Sequence, residues 1–415
     1  MKAAVYGSWH LAEVYAMGLC DLGHEVRLIA SEPVVSDYRN FKPPVLEPGI
    51  VERLQTYTKN GMISFSTDAR DISNKAEVCF FAEDCTVTKQ GVDMADIETK
   101  FRRVAGSGHF KIISVSSQLP IGTCRRWQKK YRNVRIVYYP EFLRLGDALK
   151  RFIEPDYIVL GGDEDATKHV FEFFSAVETP KFAVSLEEAE MSKHAANIFV
   201  AMTVSFLSEL TKFSEHFNVN LEHIGKILRA DKRVGPKAYT MPGMGFSGET
   251  LERDIRVLIQ EAKRLRIKLP LFEQIIAVND AHNLFIEREP RKRIKTMRGK
   301  KIGFIGATYK PFTSTLRGSL VAPLMKKLAK EGAIIALYDP LVEANPSIVA
   351  TIDDAFSKAD AVVITVGKKE FKDAPYKKLI TSMRKKIIID AANMFTKEDA
   401  RKLDIDYSSI GRGHL

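Results

Sequence analysis

Ala3-Ala4-Val5-Tyr6-Gly7-Ser8-Trp9-His10-Leu11-Ala12 opens the chain and decides the fold of its first third. Ala3 to Tyr6 is a short apolar run, and Gly7-Ser8 breaks it. From Leu11 to Leu22 the apolar residues recur at helical spacing and stop at Gly23, and Val26 to Ile29 is a second apolar run. Strand, turn, helix, strand is a βαβ unit. Further strand-like runs follow at Val78–Ala82, Ile112–Val115, Val134–Tyr138 and Tyr157–Leu160, with helical stretches between several of them. The pattern predicts a mostly parallel, doubly wound α/β sheet over roughly the first 180 residues.

The middle of the chain differs. From Ser185 to about Phe217 the pattern is helical with hardly a breaker, and Ser185 with Glu188 fits a capping box. A second long helix is expected from near Glu249 to Arg266, with more helix to about Glu287. The basic run Arg288–Lys301 lacks the interleaved aromatics that base stacking needs, so it reads as a solvated linker. A second α/β block then begins: strand Ile302–Ile305, turn Gly306, helix Ser319–Glu331, strands Ile334–Tyr338, Ala361–Val366 and Lys386–Asp390.

Composition sets outer limits. The chain has 415 residues, 45% apolar and 28% charged, ordinary for a folded protein of two to three domains. No stretch approaches ~18 consecutive apolar residues, so no transmembrane helix is expected. The start, Met1-Lys2-Ala3-Ala4, shows no secretion-signal pattern. The four cysteines (Cys20, Cys79, Cys85, Cys124) show neither metal spacing nor a disulfide framework. Together these fit a cytoplasmic protein without a metal site. The net charge of +11, from 63 basic and 52 acidic residues, favours an anionic partner and leaves open nucleic acid, phosphorylated metabolite and membrane surface.

The first turn is where a dinucleotide fingerprint G-x-G-x-x-G would lie. Gly7 stands at its first position, Trp9 at its second and Ala12 at its third. A side chain at the second position opposes close approach of a pyrophosphate. The acid that binds ribose is expected where Ala30 stands, and Glu32 is two residues further on. Later, Lys193 and Asn197 share a helix face by their spacing, although Lys193 alone reads as a surface residue. Pro242-Gly243-Met244-Gly245-Phe246-Ser247-Gly248 is a glycine-rich loop ahead of a helix, an arrangement suited to anions, and Thr250 and Asp254 follow on that helix.

Taken in order, these motifs resemble the UDP-glucose/GDP-mannose 6-dehydrogenase family along nearly the whole chain. The landmarks are Leu46-Glu47-Pro48-Gly49; Leu119-Pro120-Ile121-Gly122-Thr123; Pro140-Glu141-Phe142-Leu143-Arg144; Glu190-Met191-Ser192-Lys193 with Asn197; Arg233-Val234-Gly235-Pro236-Lys237; the glycine loop; Tyr309-Lys310-Pro311 with Arg317; and Ile410-Gly411-Arg412-Gly413. The resemblance implies two Rossmann-like doubly wound domains joined by a long-helix domain. These are an NAD-binding-type domain at 1–184, a central helical dimerisation domain at 185–290 and a nucleotide-sugar domain at 291–415. It implies a homodimer through the central helix, a nucleotide-sugar substrate rather than nucleic acid or membrane, and NAD as cofactor, with NADP or weakened NAD binding as variants.

The family's reaction is a four-electron oxidation of a sugar carbinol through a cysteine thioester. By position, the resemblance places Lys193, Asn197, Asp254 and Glu141 in catalysis, with Thr250 at the nucleophile. Gly7, Trp9, Ala12, Glu32, Ser117 and Arg317 fall at cofactor positions. Phe142, Leu143, Arg233, Tyr239, Gly243, Gly245, Phe246 and Lys310 fall at substrate positions.

The departures cluster on the same site. Thr250 replaces the cysteine, Asp84-Cys85-Thr86 replaces a G-T-P turn, Gln118 a threonine and Ala392 an arginine, and Thr315 stands where an aspartate is usual. Glu83 and Asp84 add negative charge where a pyrophosphate or ribose approaches. Cys85 and Cys124 are the thiols available for relocation. Three readings follow: a dehydrogenase that stops short of the uronic acid, a non-catalytic binder of nucleotide sugar or partner with an impaired NAD site, and an enzyme of another class using the cleft without a nicotinamide.

Overall fold

The protein is described from a computed structural model, for residues 1–415 other than 46, 72–74, 86, 89–90, 249, 309–315, 317, 343–346, 368 and 413–415. It divides into two compact units: Met1–Ala196 with Arg256–Arg266, and Asn197–Ile255 with Ile267–Leu415.

The first unit is built on an eight-stranded sheet: β1 (Lys2–Tyr6), β2 (Glu25–Ile29), β3 (Ile63–Ser66), β4 (Val78–Phe81), β5 (Ile112–Val115), β6 (Arg135–Tyr138), β7 (Ile158–Gly161) and β8 (Lys181–Val184). Their order is β8-β7-β6-β5-β4-β1-β2-β3. Pairing is parallel from β3 to β6, β7 runs antiparallel to β6, and β8 is parallel to β7. Strands β4, β5 and β7 are buried throughout, as strands covered on both faces must be. The opening segment folds as expected: β1, helix α1 (His10–Asp21), Gly23 at φ +84°, then β2. The strands β3 and β8 have no clear sequence signal. Both are sheet edges, paired on one side only: β3 is half polar, and β8 is short and largely exposed.

Helix α2 (Leu186–Phe217) is the long central helix, and it runs from one unit into the other. Its capping box forms: the Ser185 amide donates to Glu188 Oε2 at 2.8 Å and the Glu188 amide to Ser185 Oγ at 3.3 Å.

In the second unit α2 is followed by α3 (Leu221–Ala230), α4 (Thr250–Leu265, whose C-terminal part belongs to the first unit), α5 (Pro270–Asn283) and α6 (Phe285–Arg293). A five-stranded, wholly parallel sheet follows: β9 (Lys301–Ile305), β10 (Ile334–Tyr338), β11 (Ala361–Ile364), β12 (Ile387–Asp390) and β13 (Asp406–Ser409), in the order β10-β9-β11-β12-β13. Apolar clusters around Phe304, Val363 and Ile389 on one face and Phe356, Phe371 and Tyr376 on the other give the doubly wound layering.

The linker expected at Arg288–Lys301 is corrected in its first half. Arg288–Arg293 ends a helix, and its bases are ion-paired: Arg291 with Glu287 and Glu331, Lys292 and Arg293 with Glu289, and Arg293 with Asp406. Glu289 is buried, and burial raises its pKa, but Lys292 and Arg293 outweigh this and hold it at about 2. The sequence shows the basic run but not the carboxylates, because Glu331 and Asp406 come from distant segments.

Candidate functional site

In the first unit the direction of winding reverses between β1 and β4, where α/β sheets bind ligands beyond the carboxyl ends of their strands. Gly7 ends β1 there. A Cβ at Gly7 would lie 2.4 Å from the Ala82 carbonyl oxygen and 2.8 Å from Ala12 Cβ, so β1, β4 and α1 meet only because residue 7 is glycine and residue 12 small. Trp9 is the N-cap of α1, with extended backbone (φ −140°), no side-chain cap and 43% exposure. The first-turn amides of α1 thus remain a helix N-terminus suited to an anion.

Other expected cofactor residues fare differently. Ser117 is buried and donates its hydroxyl to the Glu83 carbonyl at 2.7 Å. Glu32 begins an exposed helix and pairs with Arg39 at 3.7 Å. Arg317 lies outside the described residues.

Glu47, of the Leu46–Gly49 motif, has a local role. It accepts from His10 Nε2 at 2.9 Å and from the Gly146 and Ala148 amides at 2.7 and 2.9 Å, which ties the first turn to the loop after β6. Burial raises its pKa, but these donors more than offset that and hold it low.

The Pro140–Arg144 motif meets α2 within the first unit. Lys193 is 3% exposed, which corrects the surface reading of that residue taken alone. Its Nζ donates to the Glu141 carbonyl, stands 3.4 Å from Glu141 Oε1 and lies 5.0 Å from the Phe142 ring centroid. Glu141 Oε2 also accepts from the Leu143 amide at 2.7 Å. A buried ammonium held by a carbonyl, a carboxylate and an aromatic face is positioned rather than solvated. Glu190, one turn before Lys193, caps a different helix: it accepts from the Gly122 amide and, at 2.8 Å, from the Cys124 amide. That contact joins two motifs far apart in the chain, and it was invisible in the sequence.

The second unit holds the other half of the expected set. Asn197 donates its side-chain amide to Asp254 Oδ2, and Asp254 is fully buried. Thr250 sits exposed at the start of α4, one turn before Asp254. The glycine loop is pinned by α5. The Gly245 amide donates to Asn283 Oδ1 at 2.9 Å, and Asn279 and Asn283 donate to the Phe246 carbonyl at 3.0 and 3.3 Å. His282 Nε2 meets the Gly243 carbonyl at 2.8 Å. These three α5 residues were missed. Their spacing, polar groups on one helix face after a glycine loop, is the signal that would have found them.

Gly245 has no room for a side chain, whereas a Cβ on Gly243 would meet nothing within 4 Å. Arg233 is exposed and paired with Asp231 at 2.6 Å, Tyr239 is 42% exposed, and Lys310 lies outside the described residues. Asn393, beside the missing arginine, donates to the Pro242 and Ile410 carbonyls at 3.0 Å each.

All four cysteines are free and buried. Burial pushes the Cys20 thiol up to about 12, and burial followed by Glu190 pushes that of Cys124 well above its ordinary value. Among the described residues no cluster of three or more His, Cys, Asp or Glu side chains is placed to hold a metal. Nor is any described helix long and apolar enough to cross a membrane.

The comparisons agree with this layout. Residues 1–178 match the NAD binding domain of the UDP-glucose/GDP-mannose dehydrogenase family, 187–281 its central domain and 303–397 its UDP binding domain. A UDP-glucose 6-dehydrogenase of Rhizobium meliloti is 26% identical, over 99% of this chain and 100% of its own. A UDP-glucose dehydrogenase structure from Pyrobaculum islandicum superposes with a TM-score of 0.87 at 25% identity, over 99% of this chain and 97% of that one. The UDP-D-ManNAc dehydrogenase of Pyrococcus horikoshii shares the fold, with a TM-score of 0.89 at 21% identity and full coverage of both chains. NAD is the cofactor of the N-terminal domain, and Gly7, Ala12 and the open N-terminus of α1 fit it. Three domain matches in family order, over most of the chain, make it a member of the UDP-glucose/GDP-mannose dehydrogenase family.

Proposed function

We propose that the protein oxidises a hydroxyl of a nucleotide sugar once, to a carbonyl compound, and does not proceed through a thioester to the uronic acid. The observation that supports this most is the buried Lys193, held on Glu141, in a chain with threonine at position 250. NAD, when bound, supplies the hydride acceptor. The Lys193 ammonium is a fixed donor to the alkoxide oxygen formed when the sugar hydroxyl gives up its proton to solvent, and the hydride then leaves that carbon for NAD. Asn197 offers an amide that Asp254 orients. Thr250 has a hydroxyl that needs an adjacent strong base to add to a carbonyl, and its exposed position supplies no dry pocket for that chemistry. The glycine loop, held by Asn279 and Asn283, is the segment we assign to the phosphorylated ligand. We assign the setting to the reducing cytoplasm, in keeping with four buried free thiols.

The test is a panel of nucleotide sugars with NAD and with NADP, read by 340 nm absorbance and product mass. One NADH per product and a mass two hydrogens below substrate is expected. A uronic acid as product refutes the reading. The second reading, a non-catalytic binder, is favoured by Trp9 at the second fingerprint position. It predicts nucleotide-sugar binding with no NADH from any member of the panel.

We further propose a homodimer through α2. Phe199, Phe206 and Phe213 recur every seven residues, and with Phe217 all are exposed on the single chain. Light scattering should give twice the 46.7 kDa chain mass, and Phe206→Glu should yield monomer. A monomeric native protein overturns the assignment.

A further inference from the structure

The motif Ile410-Gly411-Arg412 has no part in the chemistry above. It follows β13, and Asn393 follows β12, so both lie beyond the carboxyl ends of neighbouring parallel strands, where such sheets meet ligands. Arg412 is 7% exposed. Its Nε donates to Glu222 Oε1 of α3 at 2.9 Å, and its Nη2 donates to the same oxygen and, at 2.9 Å, to the Asn393 carbonyl. Nη1 is buried without a hydrogen-bond partner, so the guanidinium is held by the fold rather than by water. Asn393 has a left-handed backbone (φ +54°), which asparagine tolerates better than most residues. Its side-chain amide is used on both sides. Nδ2 donates to the Pro242 and Ile410 carbonyls at 3.0 Å each, and Oδ1 accepts from the Ile410 amide at 3.2 Å. Pro242 is the first residue of the glycine loop. The C-terminal segment meets that loop and α3 a second time: the Gly411 carbonyl accepts from the Leu221 amide at 2.8 Å, and a Cβ on Gly411 would lie 2.7 Å from Pro242 Cβ.

We propose that Arg412 is a positioning residue for nucleotide-sugar binding: it fixes Asn393, and Asn393 fixes the entry of the glycine loop through the Pro242 carbonyl. The proposal rests on the assignment of that loop to the phosphorylated ligand. The α5 asparagines hold the loop at Gly245 and Phe246, and Asn393 holds it at Pro242. A loop held at one end only keeps its fold but loses the preorganised backbone that favours an anion. Glu222 supplies the counter-charge that a buried guanidinium needs. The path from Glu222 through Arg412 to Asn393 thus turns an ion pair with α3 into a fixed backbone position at the loop.

The experiment is a calorimetric titration of the full-length protein with UDP and, separately, with NAD, for wild type, Arg412→Ala, Asn393→Asp and the double variant. Aspartate at 393 keeps the acceptor and tolerates the backbone, but it replaces the donor by a carboxylate facing two carbonyls. Each single variant is expected to raise the Kd for UDP by about tenfold. The Kd for NAD is expected to stay at its wild-type value, because NAD belongs to the N-terminal domain; a general loss of fold would move both. The double variant is expected to bind UDP no more weakly than the weaker single variant, as residues acting along one path of contacts do. Should one single variant lose its cooperative thermal transition, the other is read. Loss of folding in both, an unchanged Kd for UDP in a folded variant, or a Kd for NAD that rises in step overturns the role of Arg412 alone. No UDP binding by the wild-type protein overturns the assignment of the loop together with it.

Discussion

Gly243 and Gly245 look interchangeable in the sequence, and replacing each by alanine separates what the fold demands of them. At Gly245 a Cβ would stand 2.3 Å from Asn279 Oδ1 and 2.9 Å from Asn283 Oδ1. Both amides are buried, so neither swings away without breaking its bond to the loop. Overpacking of this kind costs about 1–3 kcal/mol, and one or two displaced hydrogen bonds add about 1 kcal/mol each. We therefore expect Gly245→Ala to destabilise the second unit by about 2–5 kcal/mol, a fall of roughly 5–15 °C in its thermal midpoint. It should also weaken nucleotide-sugar binding, because the Phe246 carbonyl loses its anchors. At Gly243 the added methyl meets nothing, and the backbone is not left-handed. Gly243→Ala should stay within about 0.5 kcal/mol of wild type. Differential scanning calorimetry with a calorimetric titration of UDP checks both. Equal midpoints for the two variants, or a more damaging Gly243→Ala, would refute the reasoning.

Other outcomes follow from single contacts. Lys193→Met keeps most of the buried volume but removes the charge held by Glu141; turnover should vanish while circular dichroism stays native, and retained turnover removes Lys193 from the chemistry. Thr250→Cys places a thiol at an exposed helix start, where its pKa is lowered; iodoacetamide should label that variant at position 250 and leave the four buried native cysteines unlabelled, as peptide mass mapping will show. Glu289 has its pKa depressed from an ordinary 4.5 to about 2, so the stability it contributes is present above pH 4.5 and is lost as pH falls toward 2. Glu289→Gln should remove that part of the acid limb of the urea-unfolding profile; an unchanged slope between those pH values contradicts the ion-pair assignment.

The opening βαβ unit, the parallel order of the inner strands, the capping box at Ser185 and the second α/β block follow from local pattern alone. Each rests on neighbours within a few residues: apolar periodicity, a glycine stop, a serine three residues before a glutamate. The motif order also carries the family. What only the tertiary structure decided are contacts between segments far apart in the chain. Burial of Lys193 depends on Glu141 and Phe142, some fifty positions earlier. Glu190 acts as the cap of a helix that begins at Thr123. Gly245 and Gly243 differ because Asn279 and Asn283 arrive from another helix. Glu83 is buried because the fold sets Lys100, from a later helix, against it. Charge, polarity and glycine can be read residue by residue; whether a charge is solvated, paired or aimed at a ligand depends on what surrounds it, and that is fixed only when the chain folds.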